Sequence, residues 1–140
     1  MSSLIGVQAG AIDTFWPGLM PWVGSALAAG ENEYGFEDIR RLATERAIQL
    51  WAFAEGGEIE GFAATQVVDY PQSRKTQIFL GAARDGISER WEPWLEGIEA
   101  WAMTAQQAAA NQVIGRRGWA RRLEKFGYRQ THVIMQKDLK

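Results

Sequence analysis

"AIQLWAFAEGGEIEGFAATQVVDY", residues 47–70, decides the fold. Apolar residues alternate with others on both sides of Glu55-Gly56-Gly57-Glu58, and the paired glycines supply the positive φ that a tight hairpin demands. The pattern predicts two antiparallel strands, 47–54 and 59–69. Tyr70-Pro71-Gln72-Ser73 has the composition of a turn, and "KTQIFLGA" (75–82) alternates again, so residues 47–82 read as a three-stranded meander.

Working outward towards the N-terminus, "FWPGLMPWVGSALAA" (15–29) places apolar residues at helical spacing, with Pro17 and Pro21 expected to disturb its first turn or two. "FEDIRRLATE", from Phe36, sets Phe36, Ile39 and Leu42 on one face of a second, short helix. Towards the C-terminus, "ISERWEPWLEGIEAWAMTAQQAA" is the clearest helix. Ser88 can cap it, Glu89 and Glu92 suit its positive end, and Trp91, Trp94, Ile98 and Trp101 recur along one stripe. Such a stripe is expected to be packing rather than a stacking surface for bases or sugars. "NQVIG" then reads as a short buried strand. "RGWARRLEKF" reads as an amphipathic helix with Trp119, Leu123 and Phe126 inward, stopped by Gly127, and "YRQTHVIMQKDL" as a closing strand.

The 140 residues are 46% hydrophobic and 23% charged, which suits one soluble domain spanning 1–140. No run is long and apolar enough to cross a bilayer, and Met1 to Gly10 lack the pattern of a secretory signal, so a cytoplasmic location is expected. With no cysteine and a single histidine, His132, neither a disulfide nor a transition-metal site is expected. Charge is uneven. From Arg116 to Lys140 eight basic residues face Glu124 and Asp138, a net +6, which leaves −8 on the rest of a chain whose total is −2. Arg116, Arg117, Arg121 and Arg122 are therefore candidates for contact with an acidic protein surface, either a partner or another copy. A nucleic-acid partner is not expected, because the chain is acidic overall and aromatic platforms such as Trp119 and Tyr128 are few among those cations.

The element order (helix, helix, three antiparallel strands, helix, strand, helix, strand) gives an α/β (α+β) fold, a mixed and mainly antiparallel sheet flanked by helices. From Ile48 to Leu139 this order, closed by "LEKFGY" and "THVIMQKDL", resembles the GNAT superfamily of acyl-CoA-dependent N-acetyltransferases. More narrowly, "EYGFEDIRRL", "QLW", "DYPQSRK", "IEAWA" and "IGRRGWARRLEKFGY" resemble small GNAT-like proteins encoded by tailed phages. The resemblance implies acetyl-CoA as cofactor, with its pyrophosphate over the loop that follows the third meander strand. There Ala83, Arg84, Asp85 and Gly86 are the candidate contacts, although Asp85 puts a negative charge where the pyrophosphate would lie. It also implies a tyrosine to protonate the departing thiolate, and Leu123 stands at that position. No general base emerges: Gln66, Thr76 and Gln77 do not titrate, and Glu58, Glu60 and Asp69 lie towards strand ends.

Two functions follow from the resemblance. One is a GNAT-like scaffold with absent or weakened catalysis and no cofactor, acting in assembly or as a virion component in the host cytoplasm. The alternative is an active acetyl-CoA-dependent N-acetyltransferase on an unknown amine.

Overall fold

The computed structural model describes residues 2–84 and 91–140. Its strands are β1 (Ser2–Val7), β2 (Gln49–Glu55), β3 (Glu58–Asp69), β4 (Arg74–Ala83) and β5 (Ala110–Val113). Its helices are α1 (Ile12–Ala28), α2 (Phe36–Thr44), α3 (Trp91–Thr104) and α4 (Trp119–Glu124). The strands lie in one sheet in the order β1-β2-β3-β4-β5. Neighbours from β1 to β4 are antiparallel, whereas β5, reached through α3, runs parallel to β4. The expected meander is present, turned at Gly56 and Gly57, whose φ values of +60° and +85° are available to glycine without strain.

Side-chain alternation along the strands makes two cores, one on each face. Ile5, Val7, Leu50, Ala52, Phe62 and Ala64 point to one face, under Trp16, Leu19 and Val23 of α1 and Ile39 of α2. Leu4, Trp51, Phe53, Ala63 and Ile78 point to the other, under Leu95 and Ile98 of α3 and Leu123 of α4. The tryptophan stripe packs here as expected. Trp94 is 2% exposed, its ring stacks on Phe53 at 4.3 Å, and Trp101 meets Trp51 edge-on at 5.3 Å. Trp51 in turn donates Nε1–H to the buried Thr65 hydroxyl (2.9 Å), so the large ring is buried with its one donor satisfied.

Three features depart from the sequence reading. β1 was not expected at all: "SSLIGV" is short, with two serines and a glycine, and it becomes a strand because six residues of β2 offer it a complete ladder. α1 starts earlier than expected and passes through both prolines. Pro17 and Pro21 are exposed and four residues apart, so the Asp13 and Pro17 carbonyls they leave without helical donors lie on the solvent face, while Ile12, Trp16, Leu19, Val23 and Ala26 keep a buried stripe. The closing strand expected in "YRQTHVIMQKDL" does not form. Residues 129–140 belong to no helix or strand, and Val133, Ile134, Met135 and Leu139 are 71, 80, 90 and 91% exposed. A strand is stable only against a partner's backbone, and the sheet ends at β5 with nothing laid along it among the described residues.

Trp94→Ala is expected to lower the unfolding free energy by roughly 3–5 kcal/mol, because it empties a stacked, buried site. Urea denaturation checks this, and an unchanged midpoint would contradict the packing described.

Candidate functional site: the split between β4 and β5

β4 and β5 share only four registered pairs, Lys75↔Ala110 to Ile78↔Val113. One further bond, Ile114 N–H to the Ile78 carbonyl (2.8 Å), ends the ladder. β4 continues to Ala83, and at the point of departure it carries a bulge. Ala64 faces Leu80 and Thr65 faces Ile78, so Phe79 is the extra residue. The bulge bends β4 away from β5 and leaves a wedge-shaped split on the α3 face.

The split is lined by Ile78, Gly81, Ala82 and Ala83 of β4, Val113 of β5, Trp91, Trp94 and Leu95 of α3, and Trp119 and Leu123 of α4. None of these side chains titrates. Trp119 occupies the wedge itself. A Cβ placed on Gly115 would fall 2.3 Å from its Cε3, and one on Gly81 would lie 3.7 Å from its Cη2, so the indole bridges from the end of β5 to β4. Trp91 closes against it edge-on at 5.5 Å. The guanidinium of Arg116 lies 5.8 Å from the Trp119 ring, and that of Arg122 lies 5.5 Å from the Trp91 ring. Glycine is required at 115 because any side chain there would expel the indole. The cavity that remains is about 70 Å³, far below the roughly 300 Å³ at which small-molecule pockets begin.

The residues singled out from the sequence fall around this split with different fates. Ala83 lines it. Arg84 follows at the end of β4, and its Nε lies 3.1 Å from Glu60 Oε2 on β3 in a half-exposed ion pair. Asp85 and Gly86, with the Ser88 cap, lie outside the described residues. Leu123 is buried in the α3-side core. Arg116, Arg117, Arg121 and Arg122 are exposed, and among the described residues none of them forms an ion pair. α4 is shorter than expected and ends as expected: Gly127 (φ +91°) lets Tyr128 N–H reach back to the Leu123 carbonyl at 3.1 Å.

Two polar arrays flank the start of the split, and the sequence alone did not reveal them. Gln66, Gln77 and Gln112 form a ladder of carboxamides across β3, β4 and β5, with bonds of 3.0 and 2.8 Å. Amides can orient a neighbour but cannot take up its proton. On the other face Thr76 Oγ1 donates to Asn111 Oδ1 (2.8 Å), Asn111 Nδ2 donates to the Tyr128 hydroxyl (2.9 Å), and that hydroxyl donates to Glu99 Oε2 (2.6 Å). The array ties β4, β5 and α3 to the end of α4. Burial, then the bond to Glu99, pushes the Tyr128 phenol well above its ordinary range. Among the described residues no group of three or more His, Cys, Asp or Glu gathers as a metal site would require, and no helix is long and apolar enough to cross a membrane.

No family model and no curated protein matches the sequence. Solved structures match it over nearly its whole length. An aminoglycoside acetyltransferase from an uncultured soil metagenomic sample, in complex with trehalose, is similar with a TM-score of 0.73 at 10% identity, over 99% of this chain and 97% of that one. A predicted acetyltransferase with acetyl-CoA from Clostridium acetobutylicum matches at 0.68 and 14%, over 99% and 97%. Glucosamine-6-phosphate N-acetyltransferase from Arabidopsis thaliana matches at 0.68 and 10%, over 100% and 99%. The chain therefore has the fold of the GNAT N-acetyltransferases, and at these identities the likeness concerns the fold alone.

Tyr128→Phe removes the hydroxyl that Asn111 and Glu99 share and is expected to cost roughly 1–3 kcal/mol near neutral pH. Because folding raises the Tyr128 pKa above its ordinary value of 10, its contribution is complete below about pH 10 and fades as the pH climbs towards the folded value. A pH series of denaturation curves should show a shallower alkaline decline in the variant, and parallel declines would contradict the array.

Proposed function

We propose that the chain is a GNAT-fold protein that does not transfer acyl groups and works by binding another protein, as an assembly or virion-associated component of a tailed phage. The observation that carries this reading is Trp119, which fills the split between β4 and β5 beside Ala83, where the loop begins over which the resemblance places the acyl-CoA pyrophosphate. A pantetheine arm does not fit the space beside it. A leucine at position 123, which has no proton to give where the resemblance looks for a tyrosine, supports the same reading. The partner-facing surface is the exposed basic quarter, with Arg116, Arg117, Arg121 and Arg122 all exposed and Arg116 and Arg122 over the rings of Trp119 and Trp91. Arginine suits an acidic surface because its fork binds a carboxylate with two parallel bonds. The phage assignment rests on the sequence segments named above, and it places the protein in the host cytoplasm or the virion.

A second reading, an acetyl-CoA-dependent N-acetyltransferase on an unknown amine, draws its support from the fold shared with a structure that holds acetyl-CoA. It requires the indole to swing out. No described residue lining the split could then accept a proton, so transfer would depend on positioning an amine that is already neutral.

Calorimetry with acetyl-CoA separates the two readings. The wild-type chain is expected to give no binding heat, and a dissociation constant in the low micromolar range, about −8 kcal/mol, would overturn the non-catalytic reading. For the binding role, Arg121→Glu with Arg122→Glu should abolish capture of the acidic partner from infected cells while stability stays within about 1 kcal/mol. Capture at wild-type levels would reduce these arginines to a solvated helix face.

A further inference from the structure

A cavity of about 290 Å³ opens where β1 ends and β2 begins, and it shares no lining residue with the split. At the roughly 30 Å³ that a water takes up in the liquid, it has room for about ten such units. Its walls are held firmly. Gln49 Nε2 donates to the Val7 and Leu50 carbonyls at 3.0 and 2.7 Å. The Thr65 hydroxyl accepts from Trp51 and donates to the Gln49 carbonyl (3.3 Å). Trp101, edge-on to Trp51, supplies a flat side. Three other lining groups have no such engagement. Among the described residues Arg46 forms no ion pair, and the carboxamides of Gln8 and Gln106 make no hydrogen bond.

Arg46 is the informative residue of the three. α2 ends in a Schellman turn, with Arg46 N–H on the Ala43 carbonyl (3.1 Å) and Ala47 N–H on the Leu42 carbonyl (2.9 Å). The left-handed position in such a turn ordinarily belongs to glycine, yet here an arginine holds it at φ +63° and under strain. Among the described residues that line the cavity, Arg46 is also the one that carries a charge. A side chain kept on a backbone that favours glycine points to use of that side chain, since strain of this kind collects at binding sites.

We propose that this cavity binds a small organic monocarboxylate with a flat apolar body. The Arg46 guanidinium pairs with the carboxylate through its fork. The Gln8 and Gln106 carboxamides donate to the polar edge of the ligand, and its body lies against Trp101. One cation neutralises one negative charge, whereas a phosphate carries about −1.5 to −2 and would enter half compensated. The carbonyls at the end of α2 that would repel an anion are already taken up by the Arg46 and Ala47 amides. The site does not depend on whether the split is closed to acetyl-CoA.

Benzoate is the probe, with benzamide as its neutral counterpart and phenyl phosphate as the dianion. Followed by NMR on the isotope-labelled full chain, benzoate is expected to bind with a dissociation constant of about 1 mM or tighter. It should move the side-chain amide signals of Gln8 and Gln106 and the indole signal of Trp101, while the indole signal of Trp119 stays in place. Benzamide and phenyl phosphate should each bind at least about tenfold more weakly. Arg46→Gly should weaken benzoate by at least about tenfold and melt at the wild-type temperature or above it, because glycine relieves the left-handed strain. A merely structural arginine would not give loss of binding with an intact or firmer fold. The proposal is overturned if benzoate does not bind, if its shifts centre on Trp119, or if benzamide or phenyl phosphate binds as tightly. An Arg46→Gly chain that binds benzoate as well as the wild type, or that melts at a lower temperature, would overturn it equally.

Discussion

The four-pair contact between β4 and β5 is the constraint around which the α3 side of this molecule is built. A parallel strand that leaves its neighbour so soon opens a wedge in the sheet, and the exposed strand ends and apolar faces inside it have to be covered. Here the chain's own Trp119 lies there, held between Gly115 and Gly81 and braced by Trp91. The consequences spread outward. Gly115 has no room for a side chain, the turn before α4 must deliver the indole at the right height, and Arg116 and Arg122 lie over the aromatic rings from outside.

The rest of the fold supplies the rigidity that such a plug needs. Two cores on opposite faces of one sheet lock β2 and β3, so β4 is anchored on its other side when it bulges at Phe79. Phe79 itself packs towards Tyr34 at 5.5 Å, which connects the bulge to the α1–α2 connection. Behind the wedge, the array from Thr76 through Asn111 and Tyr128 to Glu99 fixes β5 and the end of α4 by hydrogen bonds rather than by packing alone. An apolar plug and a satisfied polar array thus share one short strand, β5.

The sequence revealed most of this architecture and little of the site. The meander, the tryptophan stripe and the stop at Gly127 were legible because hydrophobic period and glycine chemistry are local signals. β1 was not, since a short strand with two serines exists only through the ladder that β2 provides. The closing strand was read from a genuine alternation in residues 131–139, but alternation states a preference and does not supply a partner edge. Helical spacing puts Trp119 on the inward face of α4, and there it lies. That it stands between two particular glycines is a matter of three-dimensional juxtaposition, for which residue spacing gives no sign. The engagement of Arg84 by Glu60 depends likewise on the cross-strand register of β3 and β4.

The central claim is that Trp119 closes the split, and a crystal structure of the chain grown with excess acetyl-CoA tests it most directly. The account predicts the indole between Gly81 and Gly115, with no thioester chain in the wedge. Density for a pantetheine arm between β4 and β5, with Trp119 rotated out, would contradict it.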